Sequence, residues 1–194
     1  MMPARAIQTR LLLLCRGALD WTNAQDGDPP LSPEGTLDAE LAVAALPHFD
    51  VIAASPQRSS QETVEAVLAR RPAPVVWQDG LDEIRPAAPL TDAAAYAAWL
   101  DRLFTGGGPA DDGESLADGA QRLGAAIRAI ADRYYGRTTL VVSHPIILLA
   151  FRGGVLQASV KREQVESLPP LALSILDYLE GRFYLVRDFP TKAR

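Results

Sequence analysis

Cysteine and histidine are scarce in this sequence of 194 residues. Cys15 is the only cysteine, so no disulfide can form within the chain, and a cytoplasmic location is expected. His48 and His144 are the only histidines, which leaves two positions for any chemistry that needs an imidazole. His144, Glu83 and Cys15 lack the ligand spacing of known metal sites, so no metal and no other cofactor is predicted.

Long apolar runs and excess positive charge are also missing. The run Leu11–Cys15 is too short for a signal-peptide core or a membrane span, so no membrane partner is expected. The net charge is −5, and no broad basic surface for nucleic acid is expected. Apolar residues make up 48% and charged residues 22%, as in ordinary globular proteins, and the length suits one domain over 1–194.

Short apolar runs alternate with amphipathic segments along the chain. Four runs have the composition of strands covered on both faces: 11–15, 51–54, 75–77 and 139–142. Capping residues predict helix starts near Ser32, Thr91 and Ser115, and apolar residues on one face predict a further helix from about Ser60. Two further apolar segments flank Glu180–Gly181, which predicts a hairpin. This order predicts an α/β fold, with a mostly parallel central sheet, helices on both faces and a C-terminal hairpin.

Polar side chains follow the predicted strands. In parallel sheets ligands bind beyond the carboxyl ends of the strands, which here carry 15–17, 55–59, 81–83 and 143–145. Two of these loops lead into predicted helix N-termini, where backbone N–H groups and the helix dipole favour anions. Arg16 and Arg58 add planar donor groups suited to phosphate. The residues alone therefore predict a pocket for a phosphate or a carboxylate.

Two other segments bear on that pocket. Gly106–Pro109 lacks the lysine and hydroxyl residue that end a phosphate-binding P-loop, so it is interpreted as a surface loop, as is 111–113. Tyr96, Trp99, Leu100 and Leu103 recur at helical spacing, which is typical of packing, and the same stripe could cover the pocket.

Several short motifs occur in a specific order and spacing. They are Asp28–Gly35, Ala54–Pro56, Gly113–Ser115 followed by Arg122, Leu140–His144, and Leu176–Tyr178 followed by Gly181. Each motif is weak alone, but together they resemble the histidine phosphatase superfamily, the phosphoglycerate mutase-like group, from about Thr9 to Asp188. The resemblance implies a phosphoglycerate mutase-like fold and a site for small phosphorylated or other anionic ligands.

The resemblance also implies a set of chemical roles. In that family the first strand ends in Arg-His-Gly, and the histidine attacks phosphorus to form a phosphohistidine. Two arginines and a second histidine neutralise the phosphoryl oxygens, while a carboxylate protonates the leaving oxygen. His144 matches the second histidine and Glu83 the acid, so these two are the catalytic candidates if the protein is active.

The sequence departs from the family at the centre of its first motif. Arg-His-Gly is replaced by Cys15-Arg16-Gly17, and the guanidinium now at the nucleophile position cannot attack phosphorus. His48 precedes a strand and is expected at the opposite edge of the sheet. The family's second arginine aligns with Ser59, although a loop shorter by one residue would let the preceding Arg58 reach the pocket. The predicted anion-binding residues are Arg16, Arg58, His144, Cys15 and Ser59.

Three functions stay open at this level. The first is a catalytically degenerate family member, a pseudoenzyme that binds a phosphate-like anion or a partner. The second is an active phosphomonoester hydrolase with an altered mechanism that uses His144, Glu83 or Cys15. The third is a structural or interaction protein with a vestigial pocket, in which Arg16 pairs with Glu83. Oligomeric state stays open too, although the C-terminal hairpin could form a homodimer.

Overall fold

A computed structural model describes residues 8–25, 27–105 and 113–190. Six strands form one sheet: β1 Thr9–Cys15, β2 Val51–Ala54, β3 Val75–Trp77, β4 Thr138–Ser143, β5 Leu173–Leu179 and β6 Arg182–Arg187. Their order is β3-β2-β4-β1-β5-β6. The first four strands are parallel to one another, and β5 and β6 are antiparallel additions. The predicted α/β fold is therefore confirmed, while the predicted loop Gly106–Pro109 lies outside the described residues.

Within the described ranges six α-helices surround the sheet: α1 Pro33–Ala42, α2 Arg58–Arg70, α3 Ala93–Thr105, α4 Leu116–Arg133, α5 Pro145–Leu156 and α6 Arg162–Ser167. Ser32 and Ser115 cap α1 and α4, because each hydroxyl accepts a hydrogen bond from a backbone N–H three residues later. Helix α2 begins at Arg58, two residues before the predicted start at Ser60. Of the helices in the described ranges, none is long and apolar enough to cross a membrane.

The central strands β1, β2 and β4 are buried on both faces, as their continuous apolar runs predict, whereas the edge strands β3 and β6 are partly exposed. Along β1, Leu11 and Leu13 belong to the core cluster under α4 and α5. Leu12 and Leu14 point to the other face and join the cluster that includes Val64 of α2. Successive side chains of a strand point to opposite faces, so an uninterrupted apolar run is what a strand between two helical layers requires.

The C-terminal hairpin turns where the sequence places it. Glu180 and Gly181 both have positive φ angles, 49° and 78°. Two such residues in succession form the tight turn whose twist matches that of antiparallel strands. The turn joins β5 to β6, and β6 becomes one edge of the sheet.

Candidate functional site

The carboxyl ends of β1, β2 and β4 meet at one edge of the sheet. Cys15 at the end of β1 pairs with Ser143 at the end of β4, and β2 lies on the other side of β4. The residues that follow these strands are therefore neighbours: Arg16, Ser55 and His144. This is the convergence that the alternating strands and helices predict.

A pocket with a volume of about 70 Å³ lies beyond this edge. Its polar lining consists of Arg16, Asp28, Gln57, Ser59, Glu83 and His144. Its apolar lining comes mainly from the chain between β1 and α1, from the segment after Glu83 and from α3. Within residues 8–25, 27–105 and 113–190, no group of three or more His, Cys, Asp or Glu side chains could hold a metal ion.

Arg16 is the one cation among the lining residues that the structure describes. Its backbone N–H donates to the Ser143 carbonyl at 2.9 Å, which continues the pairing of β1 with β4 by one residue. Its guanidinium Nη1 donates to the Gly17 carbonyl at 2.8 Å. No carboxylate oxygen of the described ranges lies within 4.0 Å of the Arg16 guanidinium, the distance that an ion pair requires. The Arg16–Glu83 pair expected for a vestigial pocket therefore does not form.

His144 is held by a chain of buried hydrogen bonds. Its Nε2 lies 3.0 Å from the Ser55 hydroxyl, which in turn lies 2.7 Å from Oδ1 of Asp82. The Ser55 hydroxyl also accepts the backbone N–H of Gln57 at 3.1 Å. The single hydroxyl hydrogen goes to the carboxylate, so Nε2 of His144 must be the donor to Ser55. The hydrogen bonds thus assign the proton to Nε2 and leave Nδ1 as an acceptor.

The imidazole of His144 is neutral in the folded protein. Only 4% of the residue is exposed, and this burial lowers its pKa well below the usual 6.5. The positive charges of Arg16 and Arg122 lower the pKa further. A neutral histidine can accept or donate a hydrogen bond to a ligand, but it adds no positive charge to neutralise an anion.

Glu83 caps the helix that follows His144. Its Oε1 accepts the N–H of Ile147 at 2.8 Å, and its Oε2 accepts that of Ile146 at 3.1 Å. Oε1 also accepts the N–H of Ile84 at 3.0 Å. Burial raises the pKa of this carboxyl group, and these N–H groups and the Arg16 charge oppose the shift. Pro145, at the first position of α5, has no N–H to offer, so the carboxylate takes the next two.

Helix α2 is capped in the same way by Asp28. Both carboxylate oxygens of Asp28 accept the backbone N–H of Arg58, at 2.9 and 3.1 Å. Each of the two helix N-termini that were expected to attract an external anion therefore carries a carboxylate of the protein itself. A ligand in this pocket meets Arg16 as its source of positive charge.

The loop that carries Glu83 is fixed from behind by the Glu114–Arg122 pair. The guanidinium of Arg122 forms two hydrogen bonds with the Glu114 carboxylate, at 2.6 and 2.7 Å. Its remaining N–H groups donate to the carbonyls of Gly80, Asp82 and Glu83, each at 3.0 Å. This accounts for the spacing of the motif Gly113–Ser115 followed by Arg122, which positions the loop and stays out of the pocket lining.

Of the other predicted anion-binding residues, one lines the pocket and two do not. Ser59, in the first turn of α2, lines the pocket. Cys15 lies beneath the lining, only 2% exposed, and burial raises the pKa of its thiol to about 12. Arg58 does not line the pocket, since its guanidinium pairs with Glu62 at 2.9 Å. His48 lies before β2 at the opposite edge, with 82% of its side chain exposed.

Three aromatic side chains, called here the aromatic wall, cover one side of the pocket: Trp21, Tyr96 and Trp99. The ring centroids of Trp21 and Tyr96 are 5.2 Å apart, and those of Tyr96 and Trp99 are 5.8 Å apart. The Tyr96 hydroxyl has no hydrogen-bond partner in the described ranges, and burial raises its pKa, so it keeps its proton. Trp99 and Leu100 are also buried in the core, so the α3 stripe both packs and covers the pocket.

Sequence reasoning did not single out Asp28, Gln57 or Trp21 as site residues, nor the Asp82–Ser55 link behind His144. Asp28 carries a usable signal, because it begins the loop motif Asp28–Gly35, and an acid in a loop can cap a helix elsewhere in the chain. The link through Ser55 has no such signal, since it joins three separate segments that only the folded sheet brings together.

Comparisons with known proteins agree with this architecture. YhfR of Bacillus stearothermophilus is 23% identical, with a TM-score of 0.76 over 93% of this chain and 96% of that chain. A mutant phosphoserine phosphatase from Entamoeba histolytica, solved with phosphoserine, is 17% identical, with a TM-score of 0.73 over 93% and 96%. A mycobacterial glucosyl-3-phosphoglycerate phosphatase is 19% identical, with a TM-score of 0.69 over 93% and 98%.

At these identities the likeness to solved structures establishes the fold. A comparison with curated protein sequences finds no match. The family model described as histidine phosphatase superfamily (branch 1) matches residues 11–189. Because this match spans nearly the whole chain, the protein belongs to branch 1 of the histidine phosphatase superfamily.

Proposed function

We propose that the protein binds a small phosphorylated or phosphate-like anion in this pocket and does not transfer a phosphoryl group through a phosphohistidine. The observation that carries the proposal is Arg16. It stands where the family's Arg-His-Gly motif has its nucleophile, lines the pocket, and has no carboxylate partner in the described ranges. A guanidinium stays protonated, so it can hold an oxyanion but cannot attack phosphorus.

The other side chains near Arg16 are poor replacements for the missing nucleophile. The Cys15 thiol is buried beneath the lining, and its pKa of about 12 keeps it protonated near neutral pH. Both oxygens of Glu83 accept backbone N–H groups of α5, which holds the carboxylate on the helix. The absence of an Arg16–Glu83 pair also argues against the vestigial pocket, because the cation is left available to a ligand.

One observation supports the second function, a hydrolase with an altered mechanism. His144 lines the pocket as a neutral imidazole, and its Nδ1 is unprotonated. A group of this kind can take a proton from water, which would allow direct hydrolysis of a phosphomonoester without a covalent intermediate. The names of the related phosphatases fit either function, since both require a phosphorylated ligand. A cytoplasmic location and the oligomeric state stay predictions.

The test combines binding with covalent trapping. Titration calorimetry with inorganic phosphate should show binding to the wild type and a loss of about tenfold or more in Arg16→Met, as expected for hydrogen bonds to a charged group. Arg70→Met is the matched control, because that arginine is exposed at the end of α2 and pairs with Glu40. Quenching in alkaline detergent, which preserves a phosphohistidine, after mixing with a ³²P-labelled phosphomonoester should leave no label on the protein that acid then removes.

Two results would contradict the proposal. Acid-labile label on the wild type that disappears in His144→Ala would assign a phosphohistidine to the remaining pocket histidine. Steady release of phosphate without label, abolished in His144→Ala but kept in Cys15→Ser, would instead establish the altered hydrolase.

A further inference from the structure

The charges that face the pocket differ from what a doubly charged phosphomonoester requires. Among the described residues of the lining, Arg16 is the only cationic side chain, and the acidic side chains are Asp28 and Glu83. Neither carboxyl group can add positive charge in any protonation state, and His144 is neutral because burial holds its pKa low. A ligand with one negative charge is matched by Arg16, whereas a second negative charge meets no cation.

The nearby arginines do not correct this imbalance. Arg58 is paired with Glu62, and Arg122 with Glu114, and neither lines the pocket. At the two helix N-termini of the site, Asp28 accepts the N–H of Arg58, and Glu83 accepts those of Ile146 and Ile147, so a carboxylate already faces each positive helix end. No second source of positive charge therefore faces the ligand within the part of the chain that the structure describes.

The lining opposite these charges is apolar. The aromatic wall of Trp21, Tyr96 and Trp99 is continued by Leu19, Ile84 and Leu90. Trp99 and Ile84 are already buried, but the other four side chains are only partly buried: Leu19, Trp21, Leu90 and Tyr96. A bare oxyanion would leave these four in contact with water, whereas a flat apolar body would cover them and stack on the rings. The Tyr96 hydroxyl, which lies within electrostatic reach of Arg16 and has no partner in the described ranges, adds a neutral donor for an oxyanion.

We infer that the pocket selects a singly charged oxyanion carried on an aromatic body over a doubly charged phosphomonoester. The inference rests on the proposed function, since it names the class of ligand for the same anion site. Aryl sulfates are suitable probes, because phenyl sulfate and phenyl phosphate have nearly the same shape and differ in charge.

Calorimetric titrations of the wild type with phenyl sulfate, phenyl phosphate, methyl sulfate and inorganic phosphate test the inference at about pH 8 and about pH 5.5. The lower value stays above the isoelectric point near 5.0. The second pKa of a phosphomonoester is about 6, so only about 1% is singly charged at about pH 8. Phenyl sulfate should then bind about tenfold or more tightly than phenyl phosphate, and the two affinities should converge at the lower pH.

The ratio of the two affinities separates the ligand's charge from titration of the protein. Titration of the protein's own groups changes the affinity for both phenyl ligands alike. These groups are Arg16, Asp28, Glu83, Tyr96 and His144 around the pocket, with Asp82 and Arg122 behind them. Phenyl sulfate keeps one charge at both pH values, so it reports the protein's contribution. Asp28→Asn removes a negative charge but keeps an acceptor for the Arg58 N–H, and should raise phenyl phosphate affinity relative to phenyl sulfate.

The aromatic wall is tested by Trp21→Ala, which should weaken phenyl sulfate binding several-fold more than it weakens methyl sulfate binding. Phenyl phosphate bound at least as tightly as phenyl sulfate at about pH 8 would overturn the inference and leave the anion site intact. So would binding of inorganic phosphate without binding of either phenyl ligand. If none of the four anions binds the wild type, the proposed function itself is wrong, and the inference falls with it.

Discussion

Single side chains at this site act through the partners that fix them, and Ser55 is the clearest case. Its hydroxyl connects the Asp82 carboxylate to Nε2 of His144. Ser55→Ala should cost about 1–3 kcal/mol of unfolding free energy, since two buried polar groups lose a partner. The same substitution should move the His144 proton away from a pure Nε2 position, which ¹⁵N–¹H correlation spectra of the imidazole report.

Ser174→Ala is the matched control for Ser55→Ala. Ser174 is buried and donates one hydrogen bond of 2.8 Å to the Arg187 carbonyl, in the hairpin. It should lose stability without changing the imidazole spectrum of His144. With His48→Gln as background, His144 gives the only imidazole signals. Spectra identical in wild type and Ser55→Ala would refute the role of Ser55 in fixing the tautomer, and a wild-type spectrum with the proton on Nδ1 would refute the tautomer itself.

What the sequence predicts at this scale depends on whether a residue stands at a strand end. Arg16 and His144 follow apolar runs directly, so their place in the pocket can be predicted from chain order alone. The side-chain direction of Arg58 cannot, because it depends on Glu62 one helical turn later. The burial of Cys15 is equally a matter of packing, since the side chain at the end of a strand faces either the core or the pocket.

Helix α5 shows how an element's end defines the site. Glu83 satisfies the N–H groups of Ile146 and Ile147, which no carbonyl of the helix can reach. Glu83→Ala should lower the unfolding free energy by about 1–3 kcal/mol, and Glu83→Gln by less, because the amide keeps one acceptor oxygen. Urea denaturation gives both values, and hydrogen exchange at Ile146 and Ile147 locates the loss.

The control for this cap is Asp92→Ala at α3, where one exposed carboxylate oxygen accepts the Ala95 N–H at 2.8 Å. Its cost should lie near the lower end for caps, about 0.5–1 kcal/mol. Equal losses for Glu83→Ala and Asp92→Ala would mean that the buried cap on α5 has no special weight. Faster exchange spread over the whole molecule, and not centred on α5, would argue against a local role.

Elements themselves are well predicted where pattern and capping agree. The apolar runs identify β1 to β4, and Ser32 and Ser115 mark α1 and α4. Helix α6 has six residues and no apolar stripe long enough to recognise. The largest difference from expectation concerns the N-termini of α2 and α5. The sequence predicts free anion-binding sites there, whereas in the fold Asp28 and Glu83 already contact these helix ends.

The pocket as a whole depends on parts distant in sequence. Strand ends supply Arg16 and His144, whereas the aromatic wall combines Trp21 with α3. The sequence predicts the first set, because the order of strands and helices determines which edge they share. The sequence leaves open whether the α3 stripe packs in the core or covers the pocket. Only the packing of α3 against the core places Tyr96 and Trp99 over the anion site.

The stability of the whole molecule should depend on pH through its one buried histidine. Burial lowers the folded-state pKa of His144 well below 6.5, whereas in the unfolded chain the imidazole takes up a proton near that value. Below about pH 6.5 the unfolded state therefore binds more protons than the folded state. The free energy of unfolding then decreases as the pH is lowered, by up to about 1.4 kcal/mol per pH unit. Above that pH both states hold the neutral ring, and this contribution to the slope vanishes.

Urea titrations between about pH 8 and about pH 5.5 measure this dependence, with His144→Gln compared with the wild type. The variant should start less stable, because the hydrogen bond to Ser55 is altered, but its curve should be flatter below about pH 6.5. His48→Gln keeps His144 and should retain the steep decline, which makes it the matched control for losing an imidazole. Parallel curves for wild type and His144→Gln across this range would show that the folded protein accepts the proton on His144. The ring could then be cationic, and Arg16 would not be the only positive charge that an anion meets in the pocket.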